Sequence, residues 1–124
     1  MKIATIIARV LLGLMFAVFG SNIFLHFIPM PPYPETLAGD FSRALMESRY
    51  IYVVGLLQVV GGILLLSGRY VALGLTLLGP VIANILLFHI FLDRAGLVIA
   101  IIVAVLALFL LWRYRENFAG LVRR

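Results

Sequence analysis

The chain has 124 residues, of which 65% are hydrophobic and 12% charged; soluble domains run at roughly 45–50% and 25%. A soluble fold this small has too little interior to hide so much apolar surface, and disordered chains are apolar-poor, so these figures describe a protein solvated by lipid. The net charge of +5 with no cysteine suits an anionic membrane surface rather than nucleic acid, and it excludes a disulfide scaffold, a thiolate metal site and thiol redox chemistry.

A bilayer core of about 30 Å takes about 20 apolar residues per helix. The first such run is 4–28, from Ala4 to about Ile28, interrupted by Arg9. Its basic start and apolar core resemble a leader, but Val18-Phe19-Gly20-Ser21 is a poor cleavage site, so it reads as a retained span. Arg9 is expected to snorkel to the cytoplasmic headgroups. The long connection 29–49 follows. Pro29, Pro31, Pro32 and Pro34 forbid continuation of the helix and predict a stiff, extended exit. Leu37, Phe41 and Leu45 then recur every fourth residue, with Asp40, Arg43 and Glu47 off that stripe. That pattern predicts a short amphipathic helix in the outer interface, serving as a lipid-facing anchor or as a lid over a cavity.

Three further spans follow at 50–67, 71–92 and 97–112. The connections Gly68-Arg69-Tyr70 and Asp93-Arg94-Ala95-Gly96 are so short that neighbouring spans must run antiparallel. Runs this long without alternation exclude a barrel. The expected fold is therefore an all-α membrane protein of one domain, 1–124: a four-transmembrane-helix antiparallel bundle with a short interfacial helix in the first outer loop. Lys2, Arg9, Arg69, Arg113, Arg115, Arg123 and Arg124 fall on one side; Arg43, Arg49 and Arg94 fall on the other, beside Glu35, Asp40, Glu47 and Asp93. The richer side is the cytoplasmic one, so both termini face the cytoplasm and the long loop faces outward. Tyr50, Tyr52, Tyr70, Trp112 and Tyr114 stand at span ends, as interfacial aromatics do.

Helices associate in lipid through close approach of small residues. Such residues form a stripe in every span: Arg9, Gly13, Ala17 and Ser21; Gly55, Gln58 and Gly62; Ala72, Thr76, Gly79 or Pro80, and Ala83; Ala100, Ala104 and Ala107. Gly13, Ala17, Gly55, Gly62 and Pro80 are the expected packing positions. Pro80 should kink the third span and free a carbonyl near Thr76, whose hydroxyl is placed to satisfy part of the exposed backbone.

Polar groups within a membrane are costly and tend to face the interior. Asn22 and His26 lie four apart in the outer third of span one, and His89 and Asp93 four apart at the outer end of span three. Gln58 and Asn84 lie deeper. Together these six residues outline an outward-facing polar pocket. Asn84 and His89, five apart, differ by about 140° around a straight helix, so they should not face one neighbour unless Pro80 or a local bulge turns them. The plainer reading is that Gln58 and Asn84 bond helix to helix and that the histidines are interfacial. Two histidines and one aspartate are too few for a metal site. No hydrolytic triad or other catalytic set is visible, and Gly61-Gly62 is a packing feature without the strand and helix of a phosphate loop.

Phe27-Ile28-Pro29-Met30-Pro31-Pro32 after His26, Val60-Gly61-Gly62-Ile63-Leu64-Leu65-Leu66, the run from Pro80 to Asp93 and the tail Trp112-Arg113-Tyr114-Arg115 carry a resemblance over nearly the whole chain. The sequence resembles the DoxX-like family of small bacterial integral membrane proteins. The resemblance implies a four-helix bundle in the bacterial inner membrane and a link to membrane redox complexes, the family being named after a subunit of a thiosulfate:quinone oxidoreductase. Members often carry a glutamate where this chain has Gln58, which cannot titrate. The expected role is a non-catalytic subunit or assembly partner of such a complex, with membrane or periplasmic partners. The alternative is a binder of quinone or another lipophilic ligand in the outward pocket, which would offer both polar groups and apolar walls. A small-solute transporter is a third reading, hindered by having only four spans and one polar cluster.

Overall fold

The computed structural model of the protein describes residues 2–29 and 32–121. Met30, Pro31, Arg123 and Arg124, on which part of the exit and orientation readings rest, lie outside them. Every regular element among the described residues is a helix, with no strand: α1 (Lys2–Leu25), α2 (Leu37–Glu47), α3 (Tyr50–Ser67), α4 (Val71–Phe91) and α5 (Leu97–Arg113), with 3₁₀ turns at Arg94–Gly96 and Arg115–Leu121. By length and composition, α1, α3, α4 and the segment Arg94–Arg113 can each cross a membrane.

The close approach of α1 and α3 organises the rest. A Cβ on Gly62 would lie 2.6 Å from the Ala17 nitrogen and 2.7 Å from the Gly13 carbonyl oxygen. A Cβ on Gly20 would come within 3.0 Å of the Val59 nitrogen, and one on Gly55 within 3.0 Å of the Phe24 ring. Residue numbers rise along α1 as they fall along α3, so the two helices run in opposite directions with backbones nearly touching. Helix α4 then packs on α3, where Leu78 fills the notch left by Gly61 and Gly74 lies against the Gly61 carbonyl. Helix α5 packs on both α4 and α1. Leu12, Leu65, Leu78 and Leu110, one from each long helix, are fully buried at the centre.

Two sequence expectations are corrected here. The small-residue stripe of the third span faces outward: Thr76, Gly79, Pro80 and Ala83 are exposed, while Val71, Leu75, Leu78, Val81 and Ile82 are buried. Pro80 is therefore not a packing residue. The glycines of α3 already open the space, so α4 contributes bulk to it and needs no small face of its own. The Thr76 hydroxyl donates to Ala72 O, one turn back, at 2.8 Å. The second correction concerns Arg9, which does not extend alone from its helix but is tied to protein backbone. Its Nη1 donates to Leu65 O at 2.8 Å and Leu66 O at 3.2 Å, where a cation satisfies the free carbonyls at the end of α3 and its dipole.

Helix α2 lies in the long connection where its stripe predicts it. The Thr36 hydroxyl accepts from Gly39 N–H at 3.3 Å, and Gly39 sits so tightly under the Pro34 carbonyl that no Cβ fits there. At the far end Arg49, in the left-handed region with φ 66°, turns the chain into α3.

The α1–α3 contact yields a prediction. Gly62→Ala should destabilise by about 1–3 kcal/mol, since backbone must move to admit the methyl group. Gly79→Ala meets nothing within 4 Å, and should be neutral or stabilising by up to about 1 kcal/mol through helix propensity. Thermal unfolding of the two variants in one detergent measures the contrast.

Candidate functional site

The six candidate site residues fall into three places. Asn22 is buried, and its amide holds the chain as it leaves α1: Oδ1 accepts from Ile28 N–H at 2.7 Å and Nδ2 donates to Ile28 O at 3.4 Å. Next to it His26 is exposed and left-handed, with φ 53°, its N–H bonded to Asn22 O at 2.9 Å. Few side chains tolerate that conformation; His26 is the residue that ends α1, three positions short of the expected boundary. Neither residue lines the cavity described below, so the predicted polar pocket loses both members that come from α1.

Gln58, Asn84 and His89 do come together. They line a cavity of about 540 Å³ between α2, α3 and α4, walled by apolar side chains that include Phe41, Leu45 and Phe88. Asn84 and His89 share this space despite their angular separation, and its walls come from α2 and α3 as well as α4. Pro80 also lines it, within a helix that runs unbroken through it. Phe41 of α2 meets Phe88 of α4 with ring centroids 5.5 Å apart, so Phe41 and Leu45 of the α2 stripe form one wall of the cavity. Leu37 remains outside, 72% exposed.

The polar groups in the cavity are differently held. Asn84 Nδ2 donates to Pro80 O at 2.9 Å within its own helix, which leaves its second N–H to donate and Oδ1 to accept. Gln58 makes no hydrogen bond among the described residues, and no buried side-chain nitrogen or oxygen there lacks a partner; its amide is therefore open to the cavity. Neither residue bonds helix to helix, which corrects the plainer reading. The His89 ring is fixed on three sides. Nδ1 lies 2.9 Å from the Asp93 carbonyl oxygen, the Phe88 ring meets its edge at 5.1 Å, and Gly96 backs it so closely that a Cβ would land on the imidazole. A carbonyl only accepts, so Nδ1 carries the proton and neutral His89 presents Nε2 as an acceptor. The Asp93 carboxylate is used elsewhere, accepting from Ala95 N–H at 3.1 Å to start the 3₁₀ turn. It serves as a cap, and its main chain orients His89. No cluster of three or more metal-ligating side chains occurs among the described residues.

Sequence reading offered Phe41 only as part of a lid or lipid-facing anchor and missed the share of Phe88 and Tyr50 in this site. Phe88, beside His89, was the available signal, and Tyr50, read as interfacial, also lines the cavity.

With the geometry in hand, comparison adds one relative. The chain is 31% identical to the uncharacterized protein YwoB of Bacillus subtilis (strain 168) over 123 aligned positions, which cover 94% of this chain and 80% of that protein. The chain belongs to the YwoB family. No family model matches the sequence, and no solved structure does.

Two variants test the separation of roles. His26→Gly should be neutral or stabilising and His26→Val destabilising by about 1–2 kcal/mol, as expected of a left-handed helix end; unfolding temperatures read both. Gly96→Ala should displace the His89 ring, seen as a chemical-shift change of its Cε1 proton, while Gly79→Ala leaves that signal in place.

Proposed function

We propose that this YwoB-family protein is a multi-pass protein of the bacterial inner membrane whose four long helices form an antiparallel bundle with both termini in the cytoplasm. Its function is to hold a lipophilic molecule bearing carbonyl or hydroxyl groups, quinone being the natural class, in the cavity beneath α2. The observation that carries this is the makeup of the cavity: about 540 Å³ of apolar-walled space, within the ordinary range for ligand sites, into which Gln58, Asn84 and His89 bring hydrogen-bonding groups. The remaining Asn84 amide N–H and the Gln58 amide can donate to quinone carbonyls, the acceptors His89 Nε2 and Asn84 Oδ1 suit the hydroxyls of the reduced, quinol form, and Phe41, Leu45 and Phe88 suit its ring or the start of its tail.

The DoxX resemblance suggests the setting, a subunit or assembly partner of a membrane redox complex. The chain has no thiol and no triad of hydrolytic residues, so chemistry on the bound molecule would belong to a partner. The fixed His89 supports a positioning role, with Nε2 as a hydrogen-bond acceptor for a ligand hydroxyl.

The test is mass spectrometry of lipophilic molecules retained by gently purified protein. Wild type and His26→Ala should retain a stoichiometric quinone, and Asn84→Leu/His89→Leu should retain roughly tenfold less or none, the loss expected when one or two hydrogen bonds to a ligand go. An identical lipid profile in all three would refute ligand binding and leave the assembly role. Solute flux in vesicles holding this protein alone would favour transport instead.

A further inference from the structure

At the opposite end of the helices from α2 lies a second cavity, of about 270 Å³, between the start of α1, the α3–α4 turn and the end of α5. Lys2, Thr5, Arg9, Gly68, Arg113 and Tyr114 line it. Three of these side chains are cations and none is a carboxylate. The one ion pair among the described residues joins Arg43 to Asp40 on α2, at the far end. Three like charges on one small cavity raise each other's energy unless an anion joins them.

Two of the cations are held in place by bonds that leave donors over. Arg9 spends Nη1 on the carbonyls of Leu65 and Leu66. Arg113 donates from Nε to Thr5 Oγ1 at 2.9 Å, which leaves its two terminal amino groups. A guanidinium has five N–H donors, so both retain capacity for an oxyanion. Lys2 is exposed and makes no hydrogen bond among the described residues. The turn closes tightly over the floor: Gly68 has φ 73°, and a Cβ there would lie 2.7 Å from Arg9 Nη1. Beside the cavity the outer face of α1 is apolar, with Ile3 74% and Ile7 53% exposed, and on α5 the Trp112 ring carries the Arg115 guanidinium 5.0 Å from its centroid.

We infer that this cavity is a binding site for the phosphate of an anionic lipid headgroup, with Arg9 and Arg113 as fixed donors, Lys2 as a mobile third charge and the apolar flank of α1 as the seat of an acyl chain. Basic pockets between helices at the cytoplasmic end of a bundle bind anionic headgroups in this way, and planar guanidinium groups are suited to phosphate oxygens. The inference rests on the reading that the helices cross a bilayer; it is independent of the ligand proposed beneath α2.

The experiment measures thermal unfolding and native mass spectra of the full chain in neutral detergent with added dioleoylphosphatidylglycerol, dioleoylphosphatidylcholine or inorganic phosphate. Phosphatidylglycerol should raise the unfolding temperature and give a one-lipid adduct; phosphatidylcholine should do neither. Lys2→Gln, a change at an exposed position, should weaken the adduct about fivefold, the share of one basic residue near an anionic surface, and Arg43→Gln at the other end should leave it unchanged. An equal response to inorganic phosphate would overturn the lipid assignment in favour of a soluble anion. Equal weakening by Lys2→Gln and Arg43→Gln, or no preference for the anionic lipid, would overturn the site. Flotation with phosphatidylcholine vesicles tests the membrane reading separately: protein that floats yet shows no anionic preference refutes this inference alone, and protein that fails to float refutes the reading beneath it.

Discussion

The backbones of α1 and α3 meet directly where Gly62 lies against Gly13 and Ala17, and this approach sets the positions of the other elements. Gly13, Ala17, Gly20, Gly55 and Gly62 supply no branch that could hold the helices apart. In lipid, where apolar surface gains little by leaving its surroundings, such contact over a long seam is a principal source of association. The contact brings the end of α3 to Arg9, whose guanidinium satisfies its last carbonyls. It turns Gly61 toward α4, where Leu78 enters. With α3 fixed between α1 and α4, the space under α2 is what remains beyond the packed region, and it becomes the cavity.

The same geometry separates two kinds of polar residue that look alike in the sequence. Asn22, His26 and the Asp93 carboxylate manage the main chain: they end a helix, hold its exit and start a turn. Gln58, Asn84 and His89 face open space. Polar groups that end helices use their bonding capacity on backbone groups left unpaired there, and those in helix interiors, where the backbone is already paired, keep part of it to spare even when one bond goes to a carbonyl, as in Asn84. His89 belongs to both kinds, because its Nδ1 is committed to the Asp93 carbonyl and its Nε2 is not.

Helix positions were legible because prolines, glycines and apolar runs mark them locally. Tyr50 to Ser67 was read to the residue, and α2 was visible in the spacing of Leu37, Phe41 and Leu45. The end of α1 was not, because the stop is conformational: a histidine in the left-handed region, latched by an asparagine whose partner lies six residues on. Helix rotation was legible only where glycines cluster. α4 is apolar on nearly every side, so composition could not say which stripe turns inward, and the small residues suggested the wrong one. Arg9 was misread for a related reason. Snorkelling treats a cation as alone in its helix, and the carbonyls that capture it belong to a helix over fifty residues away.

The bond between Arg113 and Thr5 spans 108 positions and joins the last long helix to the first. During synthesis α1, α3 and α4 can pair in the order they emerge, each finding a partner already made. The basic cavity cannot form at that stage, because one of its walls is the end of α5. It comes into being only when the chain is nearly complete, so occupancy of that cavity would report finished assembly, and a chain shortened within α5 would keep its glycine seam while losing the ring closure.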